Sequence, residues 1–243
     1  MKLSDKIALV TGAGQGMGRA IVRHFVEQGA TVYAADINAQ ALEQTCEGLG
    51  NSARPLICNV AEEASVQAAM ARIESEAGRL DILVNNAGIG SVDAFLETPL
   101  ENWQRVINVN LTGVFLCARE AGRLMSARQS GAIVNLSSTA AVTGEGPCHY
   151  VAAKAGVMGL TRTLARDLAP HGIRVNTLVP GPTDTPMMQG IPDEWMQAMV
   201  KAIPLGRLCR PEEIAQVAAF LASDEASFVT GQNVAVNGGM AFI

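Results

Sequence analysis

Two residues in this sequence have the types and the spacing to move a proton. Tyr150 and Lys154 stand four positions apart in YVAAKAGVMGLTRTLA, a stretch whose pattern predicts a helix, so both project from one face. Only Val151, Ala152 and Ala153 lie between them, which leaves little bulk around the pair. A free phenol titrates near pH ~10, too high for an efficient base at neutrality. A neighbouring ammonium favours the phenolate, and the expected lowering of the pKa makes tyrosine a usable acid and base. A Tyr–x3–Lys pair is also common on solvated helix faces. Here the chain has only two tyrosines, and the pair follows a serine-rich strand end, Leu136-Ser137-Ser138.

A second constellation suits an anion. A predicted strand runs into Thr11-Gly12-Ala13-Gly14-Gln15-Gly16-Met17-Gly18, and a helix follows. Glycines let a backbone turn tightly and approach a pyrophosphate without a Cβ in the way. The helix N-terminus then offers free N–H groups. The spacing is TGxxxGxG, through Gly12, Gly16 and Gly18; the GxGxxG pattern fails at Met17. Such a turn can also be purely structural. Asp36 closes the next predicted strand, 18 residues past Gly18. A carboxylate there can accept hydrogen bonds from an adenosine ribose and repels a 2′-phosphate. Neither Gln15, Ile37 nor Asn38 is a cation that could offset it. The expected cofactor is therefore NAD(H) and not NADP(H); the plainer role for Asp36 is to cap the following helix.

The elements that must position these groups alternate along the chain. Strands are predicted at 7–11, 31–35, 55–59, 82–85, 132–137, 174–178 and 233–236. Helices are predicted at 17–27, 39–49, 64–77, 103–127, 150–168 and 211–221. Runs such as IALV and ILV are apolar without alternation, which suits strands covered on both faces. The expected fold class is α/β: one Rossmann-like, doubly wound parallel sheet of about seven strands with helices on both faces. Residues 1–243 read as a single dinucleotide-binding and catalytic domain. The segment 185–205, with Pro186, Met187, Met188, Pro192, Trp195, Met196 and Met199, interrupts the alternation. It is expected to be a lid over the substrate; the plainer alternative is a surface helical hairpin.

Composition narrows the function classes. Apolar residues make up 49% of the chain, yet no run approaches the ~20 residues of a membrane span. No export signal is evident at the N-terminus, so a cytoplasmic location is expected. The five cysteines are scattered without a CxxC and the three histidines are isolated, which predicts free thiols and no metal site. The formal charge is −5 with no basic cluster, so nucleic acid is a poor partner.

In these motifs the chain resembles the short-chain dehydrogenase/reductase family essentially end to end. The matching pieces are TGAGQGMG, Asp36, NNAG at 85–88, INVNLTG at 107–113, IVNLSS, YVAAK, VPGPTDT at 179–185 and PLGR…PEEIA…FLAS…TGQ…NGG. The resemblance implies that Tyr150 is the general acid/base and that Lys154 holds the nicotinamide ribose and lowers the tyrosine pKa. It implies that Ser138 hydrogen-bonds the substrate oxygen and that Asn110 positions a water linking Lys154 to solvent. Cofactor contacts are implied at Gly12, Gln15, Gly16, Met17, Gly18, Asp36, Asn59, Val60, Asn86, Ala87, Gly88, Tyr150, Lys154, Pro180, Gly181, Thr183 and Thr185. A homo-oligomer, dimer or tetramer, is implied as well. There are departures. The family spacing to the tyrosine falls on Ser137, whereas the paired-serine motif falls on Ser138 if the loop is one residue shorter; Ser138 is favoured, because strand-end register is harder to change than loop length. Asn59 replaces the usual acid after the third strand. Cys209-Arg210-Pro211 and Asn237-Gly238-Gly239 also depart from the family pattern, in regions used for packing and assembly.

The expected reaction is interconversion of a secondary alcohol and a ketone. The expected substrate wall is 90–93, 139–148 and 186–199, offering Ser91, Val142, Glu145, Cys148, His149, Met187, Met188 and Trp195. Methionines and a tryptophan suit an apolar, adaptable pocket. The stretches PGPTDT and KAIPLGRL resemble those of cyclic hydroxyacyl-CoA dehydrogenases of this family, which implies a cyclic or aryl secondary alcohol or a hydroxyacyl-CoA. His149 either touches substrate or only fills space. The alternatives are a 3-oxoacyl-(acyl carrier protein) reductase, which usually wants NADPH and basic residues near Gln15 and Ile37, and, more remotely, a non-catalytic NAD-binding regulator.

Overall fold

The computed structural model describes all residues 1–243. In chain order it forms β1 (Ile7–Thr11), α1 (Gly16–Glu27), β2 (Thr31–Asp36), α2 (Ala39–Cys46), β3 (Ala53–Ile57), α3 (Glu63–Ala77) and β4 (Ile82–Asn85). There follow α4 (Leu100–Ile107), α5 (Gly113–Arg128), β5 (Gly131–Leu136), α6 (Ala140–Thr143), α7 (Cys148–Leu168), β6 (Ile173–Pro180), α8 (Asp193–Lys201), α9 (Pro211–Ala222) and β7 (Asn233–Val236). The strands make one parallel sheet in the order β3-β2-β1-β4-β5-β6-β7. This is the expected doubly wound α/β fold.

Side chains alternate across a strand, so each apolar run feeds two cores. Ala8 and Val10 of β1 join Ile21, Val22 and Phe25 of α1 and Ile214 and Ala218 of α9 on one face. Leu9, between them, joins Tyr33, Ile73 of α3 and Leu116 and Ala121 of α5 on the other. Burial on both sides is why these strands lack a polar face. No helix is long and apolar enough to cross a membrane.

The boundaries shift where side chains intervene. β3 lies two residues earlier than expected, at Ala53–Ile57, because Asn59 has left the sheet to shape the turn into α3: its Oδ1 accepts from the Ala61 N–H at 3.1 Å. The single helix expected over 103–127 is two. It begins at Leu100, after Pro99, and is divided by a π-turn at Asn108–Thr112. The wider turn directs the buried Asn110 amide inward, where Oδ1 accepts from the Ile89 N–H and Nδ2 donates to the Ile89 carbonyl, both at 2.9 Å. Within 185–205 a lone helix, α8, follows a short turn at 186–188, and none of its residues is buried.

One polar network runs through the interior. Asn85 Nδ2 donates to Asn135 Oδ1 at 2.8 Å, Asn135 Nδ2 to Thr161 Oγ1 at 2.9 Å, and Thr177 Oγ1 to Thr161 Oγ1 at 2.8 Å. All four residues are buried. The network ties β4, β5 and β6 to α7, the helix that carries Tyr150. A buried polar group left without its partner costs about 1–3 kcal/mol. Asn135→Ala leaves Asn85 Nδ2 without this partner and Thr161 with Thr177 alone, so it should lower the unfolding free energy by about 1–3 kcal/mol in chemical denaturation. A loss under about 0.5 kcal/mol would show that the network does not hold α7 in place.

Candidate active site

A cleft opens along the carboxyl ends of the strands around the β1/β4 step, where the strand order switches. Gly12, Gln15, Gly16, Met17, Asp36, Asn59, Val60, Asn86, Ala87, Gly88 and Thr185 all line it. Gly18 does not; it is buried beneath the turn. At Gly12 and Gly18 the missing side chain serves the protein's own packing. A Cβ on Gly18 would overlap the Gly12 carbonyl, and one on Gly12, held at φ +63°, would come 2.7 Å from Ala87 Cα. The same approach lets Asn86 Nδ2 donate to the carbonyls of Thr11 and Gly12, each at 3.0 Å. Thr11 Oγ1 in turn accepts from the Asn86 and Ala87 N–H groups at 3.1 Å.

The anion-receiving character lies in the start of α1. Its N-cap, Gln15, makes no side-chain cap, and the first turn has no acid. The first N–H groups are therefore left to a ligand or to water. Asp36 stands at the β2 end with Oδ2 accepting from the Gly14 N–H at 2.9 Å and Oδ1 from the Asn38 N–H at 3.0 Å. Arg19, a cation overlooked in the sequence, folds behind the turn. Its Nη2 donates to the Gly14 carbonyl at 2.5 Å and its Nε to Thr45 Oγ1 at 3.1 Å. The Asn59 amide is taken up locally, with Nδ2 on Glu62 Oε1 at 2.8 Å, so only one lone pair of its Oδ1 is left for an adenine.

This cleft meets a second one at Met17, Thr185 and Met187. Ser138, Tyr150, Pro180, Gly181 and Thr183 line the second cleft. Lys154 and Asn110 lie behind its wall, both buried. Lys154 Nζ donates to the Leu136 carbonyl at 2.8 Å and sits 5.8 Å from the centre of the Tyr150 ring. The two serines separate cleanly. Ser137 is buried and its Oγ donates to the Lys154 carbonyl at 2.8 Å, whereas Ser138 lines the cleft with Tyr150 and its Oγ accepts from the Ala140 N–H at 3.2 Å.

Burial pushes the Tyr150 phenol above its usual pKa, with the Ser138 hydroxyl acting against it more weakly. Burial also pulls Lys154 down to about 8. This reverses the expected lowering of the tyrosine. The phenol loses its hydration, and an ammonium that is itself desolvated and tied to Leu136 does not offset that loss.

The wall above Tyr150 is formed by Thr143, Glu145, Met188, Met199 and Met240. Met240 was invisible in the sequence, because only the closing of the chain on β7 brings it there. His149 does not touch this cleft. It is fully buried and its Nε2 lies 2.6 Å from Ser91 Oγ and 3.4 Å from Asp93 Oδ2. Ile37, Cys58 and Ile89, each beside an expected position, also line the dinucleotide cleft.

Comparison with known proteins agrees with this geometry. A family model described as Enoyl-(Acyl carrier protein) reductase matches residues 12–241. The chain is 42% identical over 244 residues to the 3-oxoacyl-(acyl-carrier-protein) reductase FabG of Thermotoga maritima, covering 99% of each protein. It is 46% identical over 240 residues to the cis-4-hydroxycyclohexanecarboxylate dehydrogenase of Sinomonas cyclohexanicum, covering 97% of this chain and 96% of that one. A crystal structure of a short-chain type dehydrogenase/reductase from Mycobacterium marinum superposes with a TM-score of 0.95 at 37% identity, over 100% of this chain and 98% of that one. The chain therefore belongs to the short-chain dehydrogenase/reductase family, oxidoreductases of CH–OH groups that use a nicotinamide dinucleotide.

Proposed function

We propose that this protein is an NAD(H)-dependent enzyme that interconverts a secondary alcohol and a ketone, with Tyr150 as the acid/base. The observation that carries the reading is the meeting of the two clefts beside Ser138 and Tyr150, with Lys154 buried behind them. The α1 N-terminus and the backbone at 86–88 would hold the dinucleotide, and Thr183 and Thr185 its nicotinamide end. When bound, that group supplies a two-electron hydride acceptor or donor. In oxidation Tyr150, having given up its own proton along the Lys154 path, takes the hydroxyl proton as the carbinol carbon loses its hydride; in reduction the phenol returns the proton. Ser138 donates to the substrate oxygen and steadies charge as it develops there. Lys154 holds the ribose and supplies a proton path. The Asn110 side chain is committed to Ile89, so its share in that path falls to the main chain of the π-turn.

Asp36 supports NAD(H), because its carboxylate lies at the cleft and Arg19 is turned away behind the loop. The second reading is a 3-oxoacyl-(acyl carrier protein) reductase, which the names of several relatives favour. Segment 185–205 acts as the substrate lid in either case, since Met188, Ala198 and Met199 line the cleft that holds Tyr150. Exposed Leu96, Leu100 and Phe115, on and beside α4 and α5, support assembly into a homo-oligomer.

Three measurements test this reading. Tyr150→Phe should reduce kcat at least about 100-fold while cofactor binding, followed by NADH fluorescence, stays near wild type. Turnover above a few per cent of wild type would remove the tyrosine from its role. Asp36→Ala should lower the NAD⁺ over NADP⁺ ratio of kcat/KM about ten- to hundred-fold, the worth of hydrogen bonds to a charged acceptor. A wild-type enzyme that uses NADP⁺ as well as NAD⁺ would contradict it.

The third concerns Lys154, which titrates at about 8 in the folded chain against an ordinary 10.5. Between those values the unfolded chain keeps a proton that the folded chain has released, so this group makes stability rise with pH across that window. The cost of burying the charge is fully present below about pH 8. Lys154→Met removes the dependence, so wild type should gain about 3 kcal/mol on the variant between pH 8 and 10.5 in chemical denaturation. Parallel curves would show that Lys154 does not titrate there.

A further inference from the structure

The reactive cleft does not end at Tyr150. Across the turn at 143–146 it continues into an outer cleft lined by Val92, Phe95, Pro147, Cys148, Val151 and Trp195. Two segments line both parts. Gly146 borders each of them, and α8 turns Trp195 to the outer cleft while Ala198 and Met199, one helical turn on, face the inner one. The two clefts adjoin at Gly146 and along α8, and together they make a trough.

The chemistry of the trough is uneven. Neither part contains a lysine or arginine. The single charged side chain of the inner part is Glu145, which is exposed. The single charged side chain of the outer part is Asp93, and its carboxylate is already engaged. It accepts from Ser91 Oγ, from Asn102 Nδ2 at 3.1–3.2 Å, and lies 3.4 Å from His149 Nε2. The other His149 nitrogen, Nδ1, is buried without a partner, so the imidazole is anchored to this loop alone. The network fastens the loop that carries Val92 and Phe95 against the first turn of α7. Phe95 is 75% and Trp195 70% exposed, so two aromatic side chains spend little of their apolar area on the fold. Such area is available to a ligand.

We propose that the outer cleft is a second substrate subsite for an uncharged aryl or alicyclic group, and that Glu145 sets the site against alcohols bearing a carboxylate near the reacting carbon. The inference rests on the alcohol–ketone function proposed above. An anionic group in this trough meets an unpaired carboxylate and no lysine or arginine in its lining, while an apolar one meets Phe95 and Trp195.

The test uses the whole chain with NAD⁺ and four alcohols: cyclohexanol, 4-phenylcyclohexanol, 4-hydroxycyclohexanecarboxylate and its methyl ester. Wild type should favour the ester over the carboxylate about five-fold in kcat/KM, and added salt should narrow the gap. Glu145→Gln should shrink that ratio about three-fold. Phe95→Ala and Trp195→Ala should each lower the ratio of 4-phenylcyclohexanol to cyclohexanol about five-fold. A carboxylate used as well as its ester, or a ratio unmoved in Glu145→Gln, overturns the charge filter. A phenyl ratio unmoved in both aromatic variants overturns the subsite. If none of the four alcohols is oxidised and none of the matching ketones is reduced, the function itself fails, and the subsite falls with it.

Discussion

The site depends on how a buried lysine is held. Lys154 has its ammonium on the Leu136 carbonyl and its own carbonyl on the Ser137 hydroxyl, so both ends of the residue are fastened to the end of β5. A charge taken out of water must find hydrogen-bond partners or give up its proton. Here it does some of each, donating to a strand-end carbonyl while its pKa is drawn down to about 8. The consequence is positional. With Lys154 pinned, α7 can sit against β5 in only one register, Tyr150 lies one turn nearer the mouth, and Ser138 follows directly from the strand. Asn135 and Thr161 repeat the same fastening deeper along the same strand and helix.

The other half of the site is shaped by close approach. The glycine turn is tight because the β4 end and the start of α1 press on it from two sides, and Asn86 stitches the three together. A bound dinucleotide would therefore rest on a preformed surface and not on a flexible loop. What remains for the ligand is the uncapped start of α1 and the carboxylate of Asp36, itself held by two backbone N–H groups. Rigid acceptors and donors of this kind lose little entropy when a ligand arrives.

Both clefts lie at the carboxyl edge because every strand runs the same way and each crossover begins there. The floor is made by strand ends and is polar and buried. The walls come from segments between elements, at 89–98, 139–147 and 185–205, and are mostly apolar and exposed. Chemistry is thus assigned to the part of the fold that packing holds firmly, and substrate choice to the part that packing leaves free.

By itself the sequence determined most of the elements and the residue types of the candidate site. Unbroken apolar runs separated by amphipathic stretches dictate a parallel sheet covered on both faces. The four-residue spacing of Tyr150 and Lys154 dictates a shared helical face, and Asp36 at a strand end after a glycine turn dictates a carboxylate near it. These are local facts, set by side-chain periods of 2.0 and 3.6 residues. Only the tertiary structure decided which serine faces the phenol, why the helix breaks at 108–112, where Arg19 and His149 point, and that Met240 closes the substrate wall. It also decided the sign of the Tyr150 shift. Each of these depends on groups far apart in the chain, or on how much water is excluded once they meet, and neither the distance nor the dielectric around a group is written in the order of its neighbours.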